Sequence, residues 1–206
     1  RTGWIYRIDV HRQKVVDLRV RLPPGPNATA RTQYVAGAIG PDGRLYMANH
    51  ASNSLAALDV KTGRLEVLGS CDPGPIVRKI HPRCPVGLVF DDSGVLWYAF
   101  QGWSHLVRWD VTRGGKPECM GLLGTLRRSS IYCSEIIFDR HALYITDTCH
   151  AEDPPMVLRV DLKVLKQCAR KARRKTRDPY AYALLGDGRA AYPGNPRELA
   201  RYHKLI

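Results

Sequence analysis

Four similar segments recur along the chain at a nearly constant spacing, and this repeat constrains the fold more than any other feature. Each segment is a short β-type run that ends on an aspartate, and the four aspartates are Asp9, Asp59, Asp110 and Asp161. Successive aspartates therefore lie 50, 51 and 51 residues apart. A fixed period of this length indicates one supersecondary unit repeated along the chain.

Each unit contains further short runs around its aspartate. A second family of runs lies upstream, each run preceded by a turn, and comprises residues 44–48, 95–99 and 142–146. Before each turn lies another apolar run, at 35–39, 86–90 or 136–138, and a fourth run follows the aspartate, as at 64–68. Short β-rich runs separated by turns that contain glycine and aspartate indicate antiparallel strands.

Four strands in a unit of about 50 residues are typical of a β-propeller blade. An antiparallel sandwich is the rival interpretation, but a sandwich needs no constant repeat. We therefore predict an all-β fold of four-stranded propeller blades. The predicted blades lie near residues 4–22, 35–69, 86–124 and 134–186, with residues 187–206 as a tail or the start of a further blade.

Residues 40–49, GPDGRLYMAN, followed by Leu58-Asp59 and Thr62-Gly63, resemble a blade of a broad group of six- and seven-bladed propellers. This group contains NHL-repeat proteins, the SMP-30/gluconolactonase family, strictosidine-synthase-like proteins and streptogramin lyases. The resemblance covers roughly residues 4–168. Since the units amount to about 3.5–4 blades, it implies an incomplete ring of a six- or seven-bladed propeller.

Blades of this group place an acidic residue at the end of the second strand. Asp147 matches this pattern, Asn49 is close to it, and Phe100 departs from it. In the gluconolactonase branch an acidic metal ligand lies just inside the first strand, where this chain has Ser134, with Glu135 one residue away. A shift of one residue turns a strand side chain to the opposite face, which weakens the case for a lactonase-type metal site.

The loops between the second and third strands share one face of a propeller with the loops between blades, and ligand sites open on that face. Histidine and aspartate in such loops could bind a divalent metal or act as acid and base, and a tryptophan could line a ligand site. The catalytic candidates are His50, His105 and His150; the ligand-binding candidates are Asn49, Gln101, Trp103 and Asp147; the metal candidates are Asp147 and His150. An ordinary polar rim without a site is the alternative.

The formal net charge is +13, and it is unevenly distributed. Residues 163–177 contain eight basic side chains and no acidic one. This basic segment predicts binding of a polyanion, such as RNA or a heparin-like glycan, through Lys166, Arg170, Lys171, Arg173, Arg174, Lys175 and Arg177. A solvated loop is the alternative, and the absence of aromatic residues from the segment gives no support for base stacking.

Six cysteines are present without a CxxC pair, so a zinc knuckle is not predicted. Cys71 and Cys84 flank a loop at 69–85 that is rich in proline and glycine, and they are the candidate disulfide. Buried thiols are the alternative. Together with a glycosylation sequon at 27–29, this pattern leans towards an extracytoplasmic compartment. No apolar run of 18 or more residues or apolar leader occurs, so neither a transmembrane helix nor a signal peptide is predicted.

The sequence favours a non-enzymatic binding or scaffold module. Its partner would be a protein, a polyanion or the remaining blades of a larger propeller. The alternative is a metal-dependent propeller hydrolase or lyase, lactonase-like or streptogramin-lyase-like, with its site on the axial face.

Overall fold

The computed structural model describes residues 4–22, 34–49, 53–73, 85–100, 105–124, 133–147, 156–163, 165, 182–185 and 191–193. These residues are almost entirely strands and turns, with one 3-10 turn at Val111–Arg113. The strands are β1 (Trp4–Asp9), β2 (Lys14–Arg21), β3 (Tyr34–Ile39), β4 (Leu45–Asn49), β5 (Ser54–Leu58), β6 (Leu65–Ser70), β7 (Pro85–Phe90), β8 (Leu96–Phe100), β9 (His105–Trp109), β10 (Glu118–Gly124), β11 (Cys133–Asp139), β12 (Ala142–Asp147), β13 (Met156–Asp161), β14 (Tyr182–Leu185) and β15 (Ala191–Pro193).

The strands form antiparallel meanders in sequence order. The first blade is β1–β2, the second is β3–β6, the third is β7–β10 and the fourth is β11–β13. The second and third blades each contain the four consecutive antiparallel strands that the repeat predicts. The prediction of an all-β fold built of propeller blades is therefore confirmed.

One pairing departs from the order of the repeat. Strand β14 lies inside the interval 134–186 that we predict as the fourth blade, yet it pairs in parallel with β10 of the third blade. Strand β15 then pairs with β14, which extends the third sheet to six strands. The limits of the fourth blade and the role of 187–206 remain predictions. No helix in the described part of the chain has the length and apolarity to cross a membrane.

The repeated aspartates shape the turn after the third strand of each blade. In every blade the carboxylate accepts a hydrogen bond from a residue two or three positions later. The donor is a backbone amide, as in an Asx turn, in the first, second and fourth blades, and it is the Thr112 hydroxyl in the third. The donors are Arg12 N to Asp9 (3.0 Å), Lys61 N to Asp59 (2.8 Å), Thr112 Oγ1 to Asp110 (3.4 Å) and Lys163 N to Asp161 (2.9 Å). The repeated aspartate therefore bonds within the turn that follows the third strand in all four blades, and the turn after Asp110 is the 3-10 turn.

The hairpin between the first two strands is the same in the second and third blades. Gly40 N donates to Arg44 O and Asp91 N donates to Val95 O, at 2.9 and 3.0 Å. In both hairpins a turn carboxylate also binds the aromatic residue of the next strand. Asp42 accepts from the Tyr46 hydroxyl at 2.8 Å, and Asp91 accepts from Trp97 Nε1 at 2.8 Å.

The hydrogen bonds around Asp91 decide its charge. Burial alone would raise the pKa of this carboxyl, but bonds from Ser93, Trp97 and the Val95 amide outweigh burial and lower the pKa. Asp91 therefore stays ionised at neutral pH and fixes the hairpin to its aromatic partner.

The blades stack face to face, and apolar side chains fill each interface. Val20 and Leu22 of the first blade pack against Met47 and Leu58 of the second. Two further clusters join the second blade to the third, around Tyr46 and Tyr98, and the third to the fourth, around Trp97 and Ile145. Strand β7 lies beside both β3 and β11, so the first strands of successive blades are neighbours, as they are around a propeller axis.

Candidate functional site at the loop face

The ends of the second strands occupy equivalent positions in three blades. Asn49 pairs with Tyr34, Phe100 with Pro85 and Asp147 with Cys133, always at the last position of the strand and the first of its neighbour. The backbone thus places Asn49, Phe100 and Asp147 at the loop face in the way that the repeat predicts. Asn49 and Phe100 are fully buried, so neither side chain is exposed at the loop face.

A chain of hydrogen bonds links the second and third blades beneath this face. Asn53 N donates to Asn49 O at 3.0 Å, and Cys71 N donates to Asn53 O at 2.7 Å. The Tyr98 hydroxyl of β8 then donates to Cys71 O at 2.6 Å. Asn53 adopts the left-handed conformation (φ 55°), which asparagine tolerates better than most residues. These bonds fix the start of the segment that links the two blades.

Tyr98 has a structural role in this arrangement. Burial raises the pKa of its hydroxyl well above the ordinary tyrosine value, and the neighbouring Cys71 and Asp72 add to the shift. The hydroxyl therefore stays protonated and serves as a donor, and its ring packs edge-on against Phe100 at 5.8 Å between centroids. The candidate residues chosen from loop positions alone did not include Tyr98. The sequence signal for Tyr98 is its position in strand β8 directly after Trp97. Because side chains alternate along a strand, Tyr98 faces the preceding blade while Trp97 faces the following one.

The side-chain oxygen of Asn53 is a further polar atom at this face. Oδ1 is buried and accepts no hydrogen bond within the described part of the chain. A buried carbonyl oxygen of this kind normally pairs with a donor.

The structure locates only part of the predicted site. His105 begins β9 opposite Leu122, and Asp147 ends β12. His50, Gln101, Trp103 and His150 lie outside the described residues. Convergence of the three histidines therefore stays a prediction, as does a metal held by Asp147 and His150. Within the described ranges, no group of three or more His, Cys, Asp or Glu side chains could hold a metal ion.

The predicted disulfide also stays a prediction. Cys71 is buried among apolar side chains of the second and third blades. Its proposed partner, Cys84, lies outside the described residues.

Lys163 and Leu165 at the start of the basic segment are described by the structure, whereas Val164 and Lys166 to Arg177 lie outside the described residues. The segment follows Asp161, which pairs with Ala142 at the end of the fourth blade opposite to Asp147. Leu162 N donates to His141 O at 3.0 Å. Leu162 and Leu165 are buried in the core between the third and fourth blades. Leu162 and Leu165 therefore form a packed anchor at the end of the fourth blade opposite to Asp147.

No protein-family model matches the chain, and no curated protein sequence matches it significantly. Solved structures share its fold at low sequence identity. A chain from a nidogen–laminin complex is 16% identical with a TM-score of 0.56, over 79% of this chain and 56% of that one. Virginiamycin B lyase from Staphylococcus aureus is 19% identical with a TM-score of 0.53, over 78% and 46%. Hydrazine synthase from Kuenenia stuttgartiensis is 20% identical with a TM-score of 0.55, over 79% and 41%.

These similarities confirm, at the level of the fold, the resemblance to the propeller group that contains streptogramin lyases. The chain spans about half the length of the solved structures it matches. The matched structures include enzymes and a chain of a protein–protein complex, so the fold alone selects neither function.

Proposed function

We propose that the chain is a non-enzymatic β-propeller module that binds a protein or polyanionic partner through its rim and its basic segment. The observation that supports this function is the concentration of eight basic and no acidic side chains in 163–177. The segment leaves the propeller from the buried anchor at Leu162 and Leu165. A dense positive charge held on a rigid scaffold favours an anionic partner through counterion release.

The polar groups inside the blades support a scaffold role. The carboxylates of Asp42 and Asp91 hold aromatic side chains, and the Tyr98 hydroxyl holds a backbone carbonyl. These groups are therefore used in hydrogen bonds that stabilise the fold. We assign recognition to the loop face and the basic segment. The similarity to a chain of a nidogen–laminin complex supports a protein partner for a fold of this kind.

Neutralising the basic segment should weaken binding to an acidic ligand. The variant changes Arg170, Lys171, Arg173, Arg174 and Lys175 to glutamine, and the measurement is the affinity for heparin as a function of salt. Because each contact releases counterions, the slope of log K against log[salt] should become shallower by about 3–4. A shallower salt dependence in this variant would indicate that the basic segment contacts heparin.

A matched control separates the segment from overall charge. The control changes Arg7, Lys14, Lys61, Arg64 and Lys116, five exposed basic residues scattered over the described blades, to glutamine. Both variants have a net charge of 13 − 5 = +8. The control should keep most of the wild-type slope. Equal losses in the two variants, or a wild-type protein with no affinity for heparin, would contradict polyanion binding by the segment.

A metal-dependent propeller hydrolase or lyase is the second candidate, because a streptogramin-type lyase shares the fold at a TM-score of 0.53. In this alternative Asp147 and His150 hold a divalent metal at the loop face, with His50 or His105 as acid or base. Histidine nitrogen and carboxylate oxygen are suitable ligands for such an ion.

Elemental analysis of the purified chain decides between the two candidates. The binding module should contain far less than one divalent metal per chain. The enzyme should contain about one, which His150→Ala should remove. His11→Ala is the control, since His11 is an exposed turn residue of the first blade. Stoichiometric metal in the wild type and His11→Ala, but not in His150→Ala, would replace our proposal with the enzyme.

A further inference from the structure

The tip of the hairpin between β11 and β12 carries an arginine in an unusual backbone conformation. Arg140 has a φ of 54°, in the left-handed region that most side chains disfavour. The equivalent hairpins of the second and third blades place glycine in this region, with Gly43 at 77° and Gly94 at 78°. Because glycine adopts this conformation without steric cost, the fourth blade holds an arginine against the local preference of the backbone.

The Arg140 side chain is exposed and makes no ion pair with the described part of the chain. In the first three blades, by contrast, aspartates of the same turns hold the turn arginines. The pairs are Arg12 with Asp9 (3.9 Å), Arg44 with Asp42 (2.6 Å) and Arg113 with Asp110 (3.6 Å). The charge of Arg140 is therefore available to a ligand.

The hairpin tip lies against the start of the basic segment. Leu162 N donates to His141 O at 3.0 Å, which continues the antiparallel pairing of β12 with β13 by one residue. Arg140 and Lys163 are the next residues on the two sides of this bond, and both are exposed. The hairpin and the basic segment thus each contribute one basic residue to the same end of the fourth blade.

The acidic side chains at this end compensate these charges only in part. The Asp161 carboxylate accepts from Lys163 N at 2.9 Å and lies 3.9 Å from Arg159 Nη2. Asp139, which precedes Arg140, is exposed. Against these two carboxylates stand Arg140 and the eight basic residues of 163–177, so this end of the blade is cationic.

We propose that Arg140 and Lys163 form an anchoring subsite for one sulfate group of a sulfated glycan, whose further anionic groups contact residues 166–177. This inference rests on the proposed function and names the partner of the basic segment. A sulfated glycan offers a row of anionic groups without bases, and the segment has no aromatic residue on which a base could stack. Guanidinium and ammonium groups form strong charge-assisted hydrogen bonds to anionic oxygens. A contact on the fixed hairpin tip also loses little conformational entropy on binding.

The heparin affinity of Arg140→Gly tests the subsite. At about 0.1 M salt the affinity should fall about 5- to 10-fold, and the slope of log K against log[salt] should become shallower by about 1, as for the loss of one contact. Adding Lys163→Gln should make the slope shallower by about 2 in total. Because glycine suits the left-handed conformation, the unfolding midpoint of Arg140→Gly should equal or exceed that of the wild type.

Arg19→Gly is a matched control. Arg19 is also an exposed arginine with a φ of 54°, but it lies on β2 of the first blade. Both variants lose one positive charge and one left-handed arginine. Because salt screens an exposed charge that lies two blades away from the hairpin, Arg19→Gly should keep its heparin affinity within about 2-fold of the wild type.

Three results would overturn the subsite. If Arg140→Gly bound heparin as the wild type or as Arg19→Gly does, while neutralising the basic segment still made the slope shallower, the subsite would fail and the proposed function would stand. A wild type without affinity for heparin would overturn both. If single-stranded RNA bound more tightly than heparin and Arg140→Gly weakened only RNA binding, RNA would replace the glycan as the partner.

Discussion

Trp97→Ala is expected to lower the free energy of unfolding by about 4–6 kcal/mol, because it removes a large core side chain and strips a buried carboxylate of a donor. The Trp97 side chain is fully buried and packs in the core between the third and fourth blades. Its Nε1 donates to Asp91 Oδ2 at 2.8 Å. Since domains are stable by only about 5–15 kcal/mol, this single change should consume much of the stability. Urea unfolding followed by circular dichroism measures the loss.

Trp97→Phe divides this effect into its two parts. Phenylalanine keeps most of the apolar contact but has no N–H group for Asp91, so the loss should fall to about 1–3 kcal/mol. A second comparison uses Tyr46→Phe at the equivalent position of the second blade. It removes the hydroxyl that donates to Asp42 at a partly exposed site, so its cost should be smaller. If Trp97→Ala lowered the free energy of unfolding by less than Trp97→Phe does, the role of Trp97 in core packing would be contradicted.

The sequence predicts the blade repeat because local turn chemistry determines it. An aspartate that ends a strand accepts hydrogen bonds from the backbone of the following turn, and this bonding needs only neighbouring residues. Asp59 shows the effect: the hydrogen bond from the Lys61 amide, followed by bonds from Thr62, lowers the pKa of its carboxyl. The strand order within the second and third blades follows from the same short connections.

Contacts between blades were harder to predict because they join residues distant in sequence. The bond from Tyr98 to Cys71 O crosses 27 residues and depends on how two blades stack. The hairpin carboxylate also changes position, since Asp42 lies two residues beyond the place that Asp91 occupies in the equivalent turn. Either position reaches the aromatic side chain of the next strand. A residue-by-residue alignment of the repeats therefore misses an interaction that the two blades share.

The candidate site was the least predictable part, for a physical reason. Strands and turns obey periodic rules, whereas the loops of the candidate face combine single residues from separate blades. Equivalent positions at the end of the second strand could be predicted from the repeat, and the register of Asn49 and Asp147 agrees. Whether side chains from different loops converge depends on loop conformation, which no period in the sequence specifies.

Gly87→Ala is expected to destabilise the stack by about 2–5 kcal/mol, because the added methyl group has no room between two blades. Gly87 lies in β7 at a φ of +62°, a left-handed conformation that disfavours alanine. A Cβ at this position would also lie 2.6 Å from the backbone nitrogen of Ile136 in β11. The first strands of the third and fourth blades would have to separate to admit it. Thermal and urea unfolding of the variant measure the cost.

Gly43→Ala isolates the contribution of the backbone conformation. Gly43 has a φ of +77° in the hairpin before β4, but an added Cβ would meet no atom within 4 Å. Its substitution should cost about 1–2 kcal/mol from conformation alone. The excess cost of Gly87→Ala over Gly43→Ala therefore reports the close approach of β7 and β11. Equal costs would show that the two strands can separate freely, which is incompatible with a rigid stack of blades around an axis.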